Sequence, residues 1–270
     1  MKKVFFYTVL ASLLLIAGCN NSTDAPKENT DKIKLAFKPV PGKQVRMKYA
    51  FSVNQVASGD LTAFEMDITA RGGTNENGDI VVDMTNDKIR MSGTIQGVAV
   101  SGSASGPDSL TGDAKLVALS VFTLEGNTYR SIYNSQLKKK SEVHMDKGAI
   151  VDSSENKIQF LVVYPDKEIS IGETWQKEIV IKAGNKMNCS ATYTLKELHE
   201  DFAIITIDGK LYGSGEKFGN EFSMEGKITG TITVDITTGW PIITDAHQDF
   251  ILKMGGKDIP MKYDIKCNIE

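Results

Sequence analysis

The sequence predicts a mainly β protein built from antiparallel strands. Three observations carry that expectation. Apolar and polar residues alternate with period two through most of residues 45–105 and again through 187–267, the pattern of strands with one buried and one wet face. Clusters of Gly, Asn, Asp and Thr separate the alternating runs where tight turns are needed. Only one stretch, residues 113–124, carries apolar residues at helical spacing.

The chain begins differently. Lys2 and Lys3 precede an apolar run over residues 4–17, which closes on Ile16-Ala17-Gly18-Cys19. That run is short of the roughly 20 residues a spanning helix needs. Its order of charge, short apolar segment and small residues before a cysteine resembles the signal peptide and lipobox of bacterial lipoproteins. The resemblance implies removal of residues 1–18, acylation of Cys19, and a place in the cell envelope held by a lipid anchor. Such lipoproteins carry more than one acyl chain, which makes attachment firm where a single chain holds only marginally. Asn20 stands where an aspartate would hold a Gram-negative lipoprotein at the inner membrane, so the resemblance leans to the outer membrane. The alternative is an ordinary secretory signal peptide with Cys19 merely an early cysteine. Residues 19–31 would then be the acylated cysteine and its tether. Residues 20–31 are polar, with a single Pro26 and no apolar period, and cannot repay their ordering by burial. As a coil they would reach about 20 Å.

Removing the first 18 of the 270 residues takes away Lys2 and Lys3, leaving 252 residues and moving the formal charge from −3 to −5. A mildly acidic, evenly mixed surface excludes a basic footprint for nucleic acid. Residues 32–270 are long enough for one large β domain or two small ones.

Within that body, Val45, Met47, Tyr49, Phe51 and Val53 share one strand face, and Arg46, Lys48, Ser52 and Asn54 share the other. The alternation returns at Phe64, Met66, Ile68 and Ala70 and at Ile80, Val82 and Met84. Asn75-Glu76-Asn77-Gly78 lies between those two runs and supplies residues able to take positive φ in a hairpin. Three or four meandering strands are expected before residue 105. Asp113 can cap a helix over 113–124 with Leu116, Val117 and Leu119 on one face and Gly126 to stop it, although Val121 and Phe122 also permit an extended reading. Residues 158–164, bounded by Pro165, read as a strand, although a buried helical turn has the same composition. In the last third, Met187, Cys189, Ala191, Tyr193 and Leu195 share a face, as do Ile228, Ile232, Val234 and Ile236. Thr237-Thr238-Gly239 and Gly255-Gly256 turn the chain before and after residues 242–254. Residues 66–91 and 187–212 echo each other. This marks either two similar halves, about 33–150 and 158–270, or simply the common look of hairpins, which is favoured.

Two cysteines remain beyond Cys19. Cys189 and Cys267 both fall on apolar strand faces, so they form either an interior disulfide contributing on the order of 4 kcal/mol or two inert buried thiols. An envelope compartment permits the disulfide.

Residues 164–175, Tyr-Pro-Asp-Lys-Glu-Ile-Ser-Ile-Gly-Glu-Thr-Trp, and residues 235–241, Asp-Ile-Thr-Thr-Gly-Trp-Pro, look like recurring signatures. Together they resemble a family of bacterial envelope lipoproteins defined only as a domain of unknown function, over most of residues 33–270. The resemblance implies a strongly curved antiparallel sheet or incomplete barrel with one or two short helices. That form looks like the incomplete barrels that carry lipoproteins and lipids across the periplasm, a likeness of fold and not of function. It implies no catalytic residues.

Chemistry is sparse. No Gly-x-Ser-x-Gly is present, His199-Glu200 lacks a second histidine four residues on, and Gly102-Ser103-Ala104-Ser105-Gly106 lacks the Gly-Lys-Ser/Thr of a phosphate loop. Residues 75–79 lack the spacing of a calcium loop. Asp245, His247 and Asp249 alternate along one strand face, from which a carboxylate–imidazole metal site could be built. The plainer reading is the solvated side of a strand whose core side is Ile242, Thr244, Ala246, Phe250, Leu252 and Met254. Met47, Met66, Met84, Met187, Met254 and Met261 all fall on apolar faces, where they either line a cavity for an apolar ligand or fill an irregular core. The expectation is a non-catalytic, membrane-anchored module, without a cofactor, that binds an apolar ligand or an envelope protein. A structural or assembly subunit is the alternative, and a metal-dependent hydrolase ranks third.

Overall fold

The computed structural model describes residues 32–74, 77–95, 97–104, 115, 119, 122–145, 160–182, 186–217 and 220–270. The expected signal peptide, Cys19 and the tether lie outside these residues. Asp31–Glu270 form one compact unit.

Alternation becomes structure in twelve strands: β1 Gln44–Gln55, β2 Asp60–Thr74, β3 Ile80–Ile95, β4 Val98–Ser103, β5 Thr128–Tyr133, β6 Lys139–His144, β7 Thr174–Lys182, β8 Lys186–Leu198, β9 Phe202–Lys217, β10 Asn220–Asp235, β11 Pro241–Met254 and β12 Lys257–Ile269. They make one sheet in the order β6-β5-β3-β2-β1-β12-β11-β10-β9-β8-β7, with β4 on β3. Neighbours are antiparallel throughout, as short turns between sequential strands require. β1 pairs with β12, Tyr49 opposite Cys267, so the stretches before and after residue 150 share one sheet and one core. The sheet does not close: among the described residues β6 and β7 end its main path, and β4, paired only with β3, is a further open edge.

A single sheet can bury one face only by curling around something, and here it curls around two segments that are not strands. Residues 33–39 form one. Phe37, fully buried, meets Tyr133 at 5.9 Å, Phe160 at 6.4 Å and Trp240 at 4.9 Å between ring centroids. Tyr133 lies near one edge of the sheet and Trp240 just before β11, so rings far apart along the sheet converge on one side chain. Residues 160–164 form the other. They were expected as a strand, but they are a buried strap across the inner face, outside any ladder. Side chains and one turn satisfy the backbone instead: Tyr164 N–H donates to Gln136 O at 2.8 Å, Trp175 Nε1–H to Val163 O at 2.7 Å, and Tyr193 Oη–H to Leu161 O at 2.9 Å. An apolar run does not distinguish a strand from a strap whose hydrogen bonds come from elsewhere.

Curvature has a local cause on β10. Gly226 faces inward, and a Cβ there would lie 2.3 Å from both Asp249 O and Phe250 Cβ. The missing side chain lets β11 approach while Phe250 covers the gap.

The strands at the two ends of the main path carry a charged residue on the inner face. Lys177 on β7 lies between the buried Trp175 and Ile179 and reaches Asp166 at 2.6 Å. Glu142 on β6 is buried, accepting from Ser131 Oγ and Lys139 Nζ at 2.7 Å each. Inward charges discourage another strand from adding to an open edge.

The expected helix is described only at Lys115, Leu119 and Phe122, which are helical; Thr123 N–H donates to Leu119 O at 3.1 Å and Gly126 turns the chain at φ +77°. The rest of 113–121 lies outside the described residues.

Candidate functional site

The strands share two ends. At the base lie the turns at 40–43, 134–138, 199–201 and 236–240; at the tip lie the β1–β2, β3–β4 and β11–β12 turns.

Both signature segments build the base. In the second, Asp235 Oδ1 accepts from Thr238 N–H at 2.7 Å and Thr238 Oγ1–H at 2.8 Å, a turn closed by the aspartate side chain that presents Gly239 at φ +70°. In the first, the Tyr164 hydroxyl donates to Gly239 O at 2.7 Å, so the two signatures touch. Ile169 exchanges two backbone hydrogen bonds with Ile33, and Trp175 stacks on Tyr193 at 5.3 Å. These residues hold the curl, and none presents a reactive group to solvent.

The inner face changes character from base to tip. On β1, Met47 and Tyr49 are buried while Phe51 and Val53 are half-buried. On β12, Cys267 and Ile265 give way to half-buried Tyr263, Met261 and Ile259, and on β11 Ala246, Gln248 and Phe250 give way to Leu252 and Met254. Phe222, Met224 and Phe250 are buried yet stand apart from the main core cluster. Phe51 stacks on Phe64 at 4.7 Å and Phe250 meets Tyr263 edge-on at 5.0 Å. Nearer the base, a gap of only about 10 Å³ remains among Met47, Tyr49, Ile68, Phe160, Leu161, Thr244, Ile265 and Cys267, at the lower limit for one water. The methionines expected to line a cavity therefore divide. Met47, Met66 and Met84 are packed in the core, whereas Met254 and Met261 lie on the half-exposed tip. Met187 stands opposite Gly213 on β9, its side chain outside the described residues.

Asp245, His247 and Asp249 lie on the outer face of β11, facing Lys266, Asp264 and Lys262 of β12. Asp245 Oδ2 is 3.7 Å from Lys266 Nζ and Asp249 Oδ1 is 3.8 Å from Lys262 Nζ; His247 pairs through Nδ1 with Asp264 and lies 3.6 Å through Nε2 from Asp245. The three do not converge on a common point: they form rungs of an exposed charge ladder. Among the described residues no group of three His, Cys, Asp or Glu could hold a metal ion. Asp264 also accepts from Ser52 Oγ at 3.2 Å. That row, Ser52–Asp264–His247, has its carboxylate in the middle, so the imidazole cannot take the serine proton as a nucleophilic triad requires. Ser52 and Asp264 were missed by sequence reasoning because they come from β1 and β12, and only the strand register places them beside His247.

Cys189 and Cys267 are not brought together. They are free, buried thiols on β8 and β12 with β9, β10 and β11 between them. The path along the sheet is roughly four strand spacings, or ~19 Å, far beyond disulfide reach. Burial pushes the Cys189 thiol up to about 11 and that of Cys267 up to about 12.

No helix among the described residues is long and apolar enough to cross a membrane. No curated protein matches the chain. Residues 133–241 match a protein family described as a family of unknown function, DUF6263, a stretch running from Tyr133 to Pro241 whose two ends meet around Phe37.

Proposed function

We propose that the protein is a lipid-anchored envelope lipoprotein, held through Cys19, whose β body is a non-catalytic module that binds an apolar ligand at the tip of its inner face. One observation carries the binding reading. Phe51, Val53, Leu252, Met254, Ile259, Met261 and Tyr263 form a contiguous apolar surface on the three central strands that is only half-buried, while the same face nearer the base is packed without room for a ligand. A half-buried apolar surface with two flexible methionines suits an apolar ligand of variable shape. The guarded edges of β6 and β7 weigh against assembly by strand addition there.

Two experiments test the reading. Growth with labelled palmitate should mark the wild type and leave Cys19→Ser unmarked; an unmarked wild type removes the anchor. Native mass spectrometry of residues 31–270, recovered gently from the envelope, should show extra mass that leaves on denaturation. Met261→Glu should lose that mass while keeping its melting temperature within a few degrees. A bare wild-type mass, or a ligand retained by Met261→Glu, rejects binding at the tip.

A further inference from the structure

Two shallow grooves of similar size lie on the outer face, and they treat charge in opposite ways. The first, about 670 Å³ over β1–β3, neutralises its own charges: Arg90 pairs with Asp67 at 2.5 Å and Lys48 with Glu270 at 2.5 Å. The second, about 640 Å³ over β8–β11, does not. It gathers Lys210 from β9, Lys227 from β10 and Lys253 from β11, with one carboxylate, Glu225, in its lining and a second, Glu178, beside it at Tyr212. None of the three lysines has a carboxylate within ion-pairing distance among the described residues. Asp249, which faces Lys227 from β11, pairs with Lys262 instead.

The placement of two of these lysines is costly. Lys210 and Lys227 are direct cross-strand partners on the outer face. Like charges opposite each other destabilise a ladder, and Asp249, the carboxylate on the other side of Lys227, is drawn toward Lys262. The patch also stands out from a chain of net charge −3. Around it are Asn188, Ser214 and Ser223, which offer amide and hydroxyl groups, and Tyr212, 44% exposed, whose hydroxyl donates to Glu178 Oε2 at 3.3 Å. That bond helps orient a ring presenting a flat apolar face beside the three lysines.

We propose that this groove binds an anionic glycan, a saccharide chain bearing carboxylate or phosphate groups. The lysines take the anions, Asn188, Ser214 and Ser223 exchange hydrogen bonds with sugar hydroxyls, and Tyr212 packs against the apolar face of a sugar ring. The site lies on the opposite face from the apolar tip and does not depend on it.

Calorimetric titration of the purified full chain in non-ionic micelles at low salt tests this with three probes: oligogalacturonate, neutral oligogalactose of equal length, and inorganic phosphate. Oligogalacturonate should bind, and more than about tenfold tighter than the neutral chain, with affinity falling steeply as salt rises. Lys210→Glu should weaken it more than about tenfold while leaving the melting temperature unchanged or higher, because a carboxylate at 210 would face Lys227. Tyr212→Ala should weaken the oligosaccharide and leave phosphate unaffected. No wild-type binding, equal binding of the neutral chain, or binding untouched by Lys210→Glu overturns the site. Phosphate binding as tight as the oligosaccharide, or indifference to Tyr212→Ala, overturns the glycan.

Discussion

Gly239→Ala tests how tightly the N-terminal strap is docked on the second signature turn. A residue with a Cβ pays about 1–2 kcal/mol to adopt the left-handed conformation at φ +70°. The new atom would also lie 2.2 Å from Ala36 O and 2.7 Å from Phe37 Cα, so the strap must shift. Phe37 is the ring on which Tyr133, Phe160 and Trp240 converge, and overpacking of this kind costs a further 1–3 kcal/mol or so. The sum, about 2–5 kcal/mol, corresponds to roughly 6–15 °C in a body of this size. Gly42→Ala is the control. Its φ of +76° is nearly the same, but nothing lies within 4 Å of the new Cβ, so it should lose only about 4 °C. The stiffening of the unfolded chain is common to both substitutions and cancels. Thermal and urea unfolding followed by tryptophan fluorescence reports directly, since Trp240 is the next residue. Equal losses in the two variants would refute the tight docking of residues 36–37 on the turn.

Lys177→Val removes the inward charge from β7 and should produce concentration-dependent association by light scattering at tens of micromolar; a strictly monomeric variant would show that the edge is guarded by something else. The buried thiols should not react with a disulfide reagent at pH 8 in the native protein, and denaturation without reductant should expose both. Because their folded pKa values are raised, the stability they contribute is intact below the ordinary thiol value near 9 and is lost as pH climbs toward 11 for Cys189 and 12 for Cys267, so the unfolding midpoint should fall over that window; a flat profile would contradict their burial. His247→Ala should cost under about 1 kcal/mol, since every rung of its ladder is exposed, and millimolar zinc, manganese or calcium should leave the wild-type melting temperature within about 1 °C. A metal-induced rise abolished in His247→Ala would restore the metal reading.

Period-two alternation made most strands legible, because a strand with one wet face must alternate. β1, β2, β8, β10, β11 and β12 follow the faces expected from residue order, down to the outward Asp245, His247 and Asp249 and the turns at 237–239 and 255–256. Residues 160–164 were misread because composition records burial and not the source of the hydrogen bonds. The signature segments stood out as residues, but their shared task could not be read, since Tyr164 and Gly239 are 75 positions apart and meet only when the sheet curls.

The sequence by itself determined what short-range rules control: the strands that alternate cleanly, which face of each is apolar, the turns at 237–239 and 255–256, and that the thiols point inward. The tertiary structure alone decided what depends on register and curvature. Register set Lys210 against Lys227 and lined His247 with Asp264 and Ser52. Curvature divided the inner face into a sealed base and a half-open tip, and strand order put three strands between Cys189 and Cys267. Contacts between strands distant in the chain are fixed by how many strands lie between them and how sharply the sheet bends, and no local pattern encodes either.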